Sequence, residues 1–329
     1  MTTPARLLVA SAVLALIAPA TAGACACGCG IFDVGDGTVT PVASDTGLSV
    51  WLRYDYMDQN RNFARGADAP ASDNTDKRIA TSFFTVGAEY MINRKWTVMA
   101  ELPLSRRDFT TIGADANGHD VIETVPFTAL GDGVIQLTYS GFAPDMATGI
   151  SFGVKLPTGR YTSPRDRYGN RPYDRDTLLG TGSTDLQVGG YHVGAVASRL
   201  NWFAQAQYRF AVATRGGYRP GNELDAALGL SYDLAAGGRS LGIAPALQLL
   251  GSVRAHDTGM NADPLNSGYR RLLIAPGIKF QLSRKLSVYG DVALPLAQYA
   301  NAASSLAIEG KSGQLVAPAL FKMQVNYGF

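Results

Sequence analysis

Along the last nine residues, Phe321 to Phe329, apolar or aromatic side chains occupy every second position, with Lys322, Gln324 and Asn326 among those between them. Successive side chains of a strand point to opposite faces, so the stretch predicts an apolar face of Phe321, Met323, Val325, Tyr327 and Phe329 opposite a polar one. A strand that is apolar outside and polar inside fits the wall of a membrane barrel. A soluble sandwich also alternates, so one strand alone does not decide between them.

The same period of two recurs in about twelve candidate strands. The first sets Leu48, Val50, Leu52, Tyr54 and Tyr56 against Arg53 and Asp55, and the second sets Phe84, Val86, Ala88 and Tyr90 against Thr85, Gly87 and Glu89. The third sets Trp96, Val98, Ala100, Leu102 and Leu104 against Thr97, Met99, Glu101 and Pro103. Further strands are centred on Leu137, Phe152, Leu186, Ala204, Leu228, Ile243, Ile274 and Val288, before the closing strand.

The connections alternate in length. Residues 58–78, 106–130, 159–183, 213–223, 254–269 and 297–316 are long and polar, whereas 93–95, 143–148, 196–201, 235–240 and 283–285 are short. Short periplasmic turns and long external loops are the habit of outer-membrane barrels, and a sandwich has no reason for such alternation. The expected fold is therefore all-β, a transmembrane antiparallel up-and-down β-barrel of about 12 strands over residues 47–329, placed in the bacterial outer membrane. Aromatic residues near strand ends, such as Tyr54, Tyr56, Tyr90, Trp96 and Trp202, suit an interfacial girdle or plain strand propensity. Prolines 103, 157, 245, 276 and 295 fall within strand patterns and predict bulges near the rim.

Ahead of the barrel, Arg6 precedes an apolar stretch from Leu7 to Ala18 and then small residues through Ala24. This pattern predicts a cleaved secretory signal over residues 1–24. Residues 25–46 follow as a periplasmic cysteine-bearing segment or a plug of the lumen; Gly35-Asp36-Gly37 lies within it. Composition adds an exclusion. With a net charge of +2 and no basic run interleaved with aromatics, nucleic acid is not an expected partner. Charged residues are only 17% and glycines number 37, as expected where lipid-facing and lumen-facing side chains average out.

Several phrases resemble the outer-membrane family named for meta-pathway phenol degradation, a group of barrels of transporter type. They are Glu101 to Leu104 (ELPL), Leu130 to Asp132 (LGD), Gly153 to Gly159 (GVKLPTG), Gly180 to Asp185 (GTGSTD), Leu294 to Leu296 (LPL) and Glu309 to Leu315 (EGKSGQL). The resemblance covers roughly residues 47 to 329. It implies an outer-membrane barrel with a passive transport role, and it does not imply a phenolic substrate. The three cysteines of the amino terminus are not part of that family's pattern.

Two places could carry chemistry. Alternate-face assignment puts Arg53, Asp55, Glu89, Glu101, Lys155, Arg209, Asp225, Asp233, Lys279 and Asp291 inside the barrel, with Gln205, Gln207, Lys322 and Gln324. Both signs are mixed, so these side chains either line a narrow path for a small solute or close it with ion pairs. The second place is Cys25, Cys27 and Cys29, the chain's three cysteines. Thiolates at that spacing can converge on a soft metal ion such as Cu(I) or Zn(II), form one disulfide, carry a lipid on Cys25, or tether a periplasmic partner.

The main functional expectation is a channel or transporter-like barrel for passive passage of a small solute. The alternative is a closed structural barrel with a metal-binding or redox-associated cysteine segment. An outer-membrane hydrolase is disfavoured because His119, His192 and His256 adjoin no Gly-x-Ser-x-Gly elbow. Expected partners are outer-membrane lipid, lipopolysaccharide and the barrel-assembly machinery. Val325, Tyr327 and Phe329 resemble the carboxy-terminal signature that this machinery reads.

Overall fold

A computed structural model describes residues 35, 47–162, 173, 175–234, 242–303 and 312–329. The expected signal peptide and Cys25, Cys27 and Cys29 lie outside the described residues. Among the described residues sixteen strands follow in chain order: β1 (Gly47–Gln59), β2 (Arg61–Ala64), β3 (Ala67–Asp68), β4 (Asp76–Asn93), β5 (Trp96–Ala114), β6 (Asp120–Leu130), β7 (Gly133–Tyr139) and β8 (Thr148–Leu156). The rest are β9 (Thr184–Ala197), β10 (Leu200–Ala213), β11 (Glu223–Tyr232), β12 (Gly242–Arg254), β13 (Tyr269–Gln281), β14 (Leu286–Ala300), β15 (Gln314–Val316) and β16 (Leu320–Gly328). No described helix is long and apolar enough to cross a membrane.

Twelve strands, all but β2, β3, β6 and β15, close into a ring of antiparallel neighbours. Closure is made by β1 and β16, in register from Ser49 opposite Gly328 to Met57 opposite Leu320. Without that pairing both strands would present unpaired N–H and C=O groups to lipid, which hydrocarbon does not tolerate. Side chains sort as the alternation requires. On β4, Val86 is 61% exposed on the outside while its neighbour Thr85 is 2% exposed on the inside. Leu52, Leu102, Phe152, Leu228, Leu247 and Met323 continue the exposed apolar belt. A closed barrel with an apolar outer face and a polar interior is built for a bilayer, and its place is the bacterial outer membrane.

The girdle residues pair across strands: Tyr54 lies 5.0 Å from Phe84, and Trp96 lies 4.7 Å from Tyr139, centroid to centroid. Two lumen-facing rings lie flat on the wall because the opposite residue has no side chain. A Cβ at Gly87 would stand 2.1 Å from the Trp51 indole, and one at Gly229 would stand 2.2 Å from the Phe203 ring.

Three expectations need correction. Residues 106–130 are not a polar loop; β5 runs on to Ala114 and pairs with β6 as a long hairpin, Leu104 opposite Leu130 through Ala114 opposite Asp120. Its β6 arm alternates Val121, Glu123, Val125 and Phe127 with other residues, a pattern masked by the neighbouring charges. The connections 58–78 and 297–316 also contain strand, since β15 pairs with β2, and β2 with β3. Of the five prolines, Pro295 adjoins a register shift, where Leu272 faces Ala297 and Leu273 faces Pro295. Pro276 instead interrupts the ladder to β14 between Ile274 and Gly277 without shifting it. Pro103 sits where β5 changes partner from β7 to β6, Pro245 stands just beyond the last residue of β12 paired with β11, and Pro157 follows β8. A residue without an N–H is tolerated where a ladder bond is missing anyway, so a gap serves as well as a bulge.

Candidate functional site

The functional interior has two walls. The first is charged and surrounds a chamber of about 230 Å³. From β1, Arg53 places its Nε 3.0 Å from Asp55 Oδ2 and its Nη1 3.9 Å from Glu101 Oε2 of β5. On β10 and β11, opposite each other in register, Arg209 Nη2 donates to Glu223 Oε2 at 2.9 Å, and the Tyr269 hydroxyl adds a bond to Glu223 Oε1 at 2.5 Å. Arg254 Nη2 reaches Asp257 Oδ1 at 2.6 Å, and Asp257 Oδ2 accepts the Tyr218 hydroxyl at 2.7 Å. Arg53, Asp55 and Glu223 are all buried, so each charge depends on these partners.

One side of the chamber is a knot made by three of the motif phrases. Lys155 on β8 is flanked by Asp132 Oδ2 at 2.9 Å and Asp185 Oδ2 at 3.1 Å. Asp132 also accepts the backbone N–H of Gly159 at 3.0 Å and that of Thr181 at 2.9 Å. Thr158 Oγ1 donates to the Gly131 carbonyl at 3.0 Å and accepts from Gly133 N at 2.8 Å. Gly180 packs on Gly159 so closely that a Cβ there would stand 2.4 Å from the Gly159 carbonyl carbon. The Leu-Gly-Asp, Lys-Leu-Pro-Thr-Gly and Gly-Thr-Gly-Ser-Thr-Asp phrases are thus one structural unit that ties residues at both ends of the β8–β9 connection to the turn between β6 and β7.

The long connections roof this chamber. Arg175 Cζ lies 5.2 Å from the ring centres of both Tyr161 and Tyr218, and its Nη2 donates to the Thr181 carbonyl at 2.9 Å. Arg107, buried on β5, donates to the Thr177 carbonyl and to Thr81 Oγ1. Tyr173 stacks edge-on against Phe109 at 5.3 Å and joins Ile79 and Leu315 in one buried cluster. Leu315 comes from the last long connection, where the Gln59 side chain donates to its carbonyl at 2.9 Å. Two connections distant in sequence therefore meet over the same part of the mouth.

The second wall is apolar. Phe203, Ala227, Leu250, Leu273, Ala275 and Ala293 form a buried cluster on the inner face of β10–β14. Beside it the Gln248 amide donates to the Tyr289 hydroxyl at 2.5 Å, which donates to Asp291 Oδ2 at 2.7 Å. Gly35 reaches this wall: its N–H donates to Gln205 Oε1 at 3.0 Å, and a Cβ on it would stand 2.8 Å from Gln248 Oε1. Its φ of +121° belongs to glycine, which makes the close approach possible.

Of the expected lumen residues, Arg53, Asp55, Lys155, Asp225 and Asp291 are buried on the inner face, and Glu89, Glu101, Arg209 and Lys279 are half-buried there. Asp233 departs from the expectation. It lies past the end of β11, exposed at the short-turn rim, where its carboxylate accepts a bond from Asn201 at 3.0 Å. Lys322 stands opposite Asp55 on one side and Asp291 on the other, so the seam of the barrel carries a row of alternating charge. The sequence reading missed Arg107, Asp132, Asp185, Glu223 and Arg254. Glu223 and Arg107 share the parity of Asp225 and Glu101, and were hidden because residues 106 onward and 213–223 read as loop. The terminal Val325, Tyr327 and Phe329 fall on the outer face, with Tyr327 and Phe329 edge to face at 5.0 Å. His119, His192 and His256 are exposed and far apart in the chain, and none lines the chamber.

No protein-family model matches the sequence, and no curated protein matches it. Solved structures do match in fold. The crystal structure of the COG4313 outer membrane channel from Pseudomonas putida F1 aligns with a TM-score of 0.63 at 12% identity, covering 91% of this chain and 100% of that one. The beta domain of the Bordetella autotransporter Brka aligns with a TM-score of 0.53 at 12% identity, covering 87% of this chain and 100% of that one. At such identities the likeness is one of architecture, and it agrees with a single outer-membrane barrel spanning the described strands.

Proposed function

We propose that this chain is an outer-membrane channel of transporter type through which a small solute passes, narrowed by its own long connections and by the segment before β1. The chamber of about 230 Å³ inside the charged wall carries this reading, because a barrel serving only as scaffold has no need of a specifically lined internal space. The Pseudomonas neighbour, described as a channel, supports it. In this reading the short turns face the periplasm, the long connections face outward, and the contact of Gly35 with Gln205 supports a plug made by residues near it. The test is conductance in planar bilayers together with solute-dependent liposome swelling, using the mature protein and a form lacking residues 31–44. Small conductance steps that enlarge in the shortened form are expected. A folded barrel that neither conducts nor swells in either form would overturn the proposal.

Assembly is proposed to depend on Val325, Tyr327 and Phe329 as the strand-end signal read by the barrel-assembly machinery. Phe329 N donates to the Leu48 carbonyl at 2.9 Å, at the point where the seam closes. Deleting Tyr327–Phe329 is expected to abolish heat-modifiable, membrane-inserted protein; normal insertion of the truncated chain would refute it.

A further inference from the structure

Most of the charged wall is paired among the described residues, and one of its exceptions lines the chamber. Asp185 is 3% exposed and lines the cavity. Its Oδ2 is held by Lys155, whereas its Oδ1 is buried and has no hydrogen-bond partner. Lys155 has no donor to spare for it. Besides Asp185, its ammonium contacts Asp132 Oδ2 at 2.9 Å, Thr181 Oγ1, and the carbonyl and hydroxyl oxygens of Ser183, each at 3.2 Å. Two residues along the same face of β9, the side-chain oxygen of Gln187 is likewise buried and without a partner. A buried carboxylate oxygen left unbonded is costly, and what it lacks is a donor.

The charge around the chamber says what kind of donor. Six basic side chains line it against four acidic ones, and Asp55 and Asp257, bonded to two of those arginines at 3.0 and 2.6 Å, bring the described residues to balance. A net charge on the solute would meet no compensating excess. The remaining lining includes Phe83, Val134, Leu178, Leu179 and Phe210, which suits an apolar body. An apolar cavity of roughly 150 Å³ holds one benzene, so a chamber of this size takes a compact body of about one ring.

We infer that the chamber binds a small neutral solute consisting of a compact apolar body and at least one hydroxyl or N–H group, which donates to Asp185 Oδ1. This deepens the channel reading by naming the chemical class of its solute, and binding can be measured without any passage. Isothermal titration of the folded full-length protein would compare four six-membered-ring probes: cyclohexanol, cyclohexanone, methylcyclohexane and cyclohexylammonium. Cyclohexanol is expected to bind about tenfold more tightly than cyclohexanone or methylcyclohexane, neither of which donates a hydrogen bond. The charged amine is expected to gain nothing over the alcohol. In Asp185→Asn the amide can present its own donor, so the gap between alcohol and ketone should close.

Equal binding of alcohol, ketone and hydrocarbon to the wild-type protein would overturn the inference, as would preference for the ammonium ion or an unchanged gap in Asp185→Asn. If that variant does not fold, the wild-type comparison still decides. Failure here beside normal conductance would remove the solute class and leave the channel. Selective binding without conductance would remove the channel and leave the site.

Discussion

The two lumen walls share strands β10 to β12 but are built by different physics. The charged wall, around Lys155, Arg209 and Glu223, holds its shape by directional bonds between strands, each group depending on a partner in a setting where water is scarce. The apolar wall, around Phe203, Leu250 and Leu273, holds its shape by contact alone, and chain from before β1 reaches it at Gly35. The difference separates two jobs. A surface of fixed donors and acceptors can discriminate among solutes, because an unmatched polar group is penalised there. A surface of methyl and phenyl groups is a seat for whatever covers it.

The larger test of this contrast is on the charged side. Lys155→Met would leave Asp132 and Asp185 facing one another without their shared cation, and removing one partner of a buried pair costs about 3–5 kcal/mol. The urea midpoint of the barrel in lipid vesicles is expected to fall accordingly; a shift below about 1 kcal/mol, as for an exposed pair, would mean that this wall is wetter than its burial implies. A smaller effect is expected on the apolar side. Gly229→Val would push Phe203 off the wall, and overpacking of this kind costs about 1–3 kcal/mol. The same measurement checks it, and a larger loss than for Lys155→Met would reverse the ranking of the two walls.

Much of the barrel was legible because a strand in a bilayer writes its environment on every second residue. The run Leu48 to Tyr56 and the run Phe321 to Phe329 each declare a face, and in the structure they are the two strands that meet at the seam. The long hairpin of β5 and β6 was not legible. Beyond the lipid its outer face is free to carry Arg106, Asp108 and Thr110, so the apolar half of the alternation disappears although the pairing continues. The interior was half legible. Parity placed Arg53, Asp55 and Lys155 on the inner face, but parity could not show that Asp132 and Asp185, one in a turn and one at a strand's start, would converge on Lys155. Asp233 shows the opposite failure, since it has the right parity but lies beyond the strand's end.

The sequence by itself determined the class of the molecule, the number of wall strands and which face of each strand meets lipid, because those follow from a local period of two and the alternation of short and long connections. The tertiary structure alone decided where the connections go, which charges neutralise which, and that Asp185 keeps one oxygen unpartnered beside a chamber. Those outcomes depend on distances between residues far apart in the chain, and a one-dimensional pattern carries a side chain's orientation but not its partner.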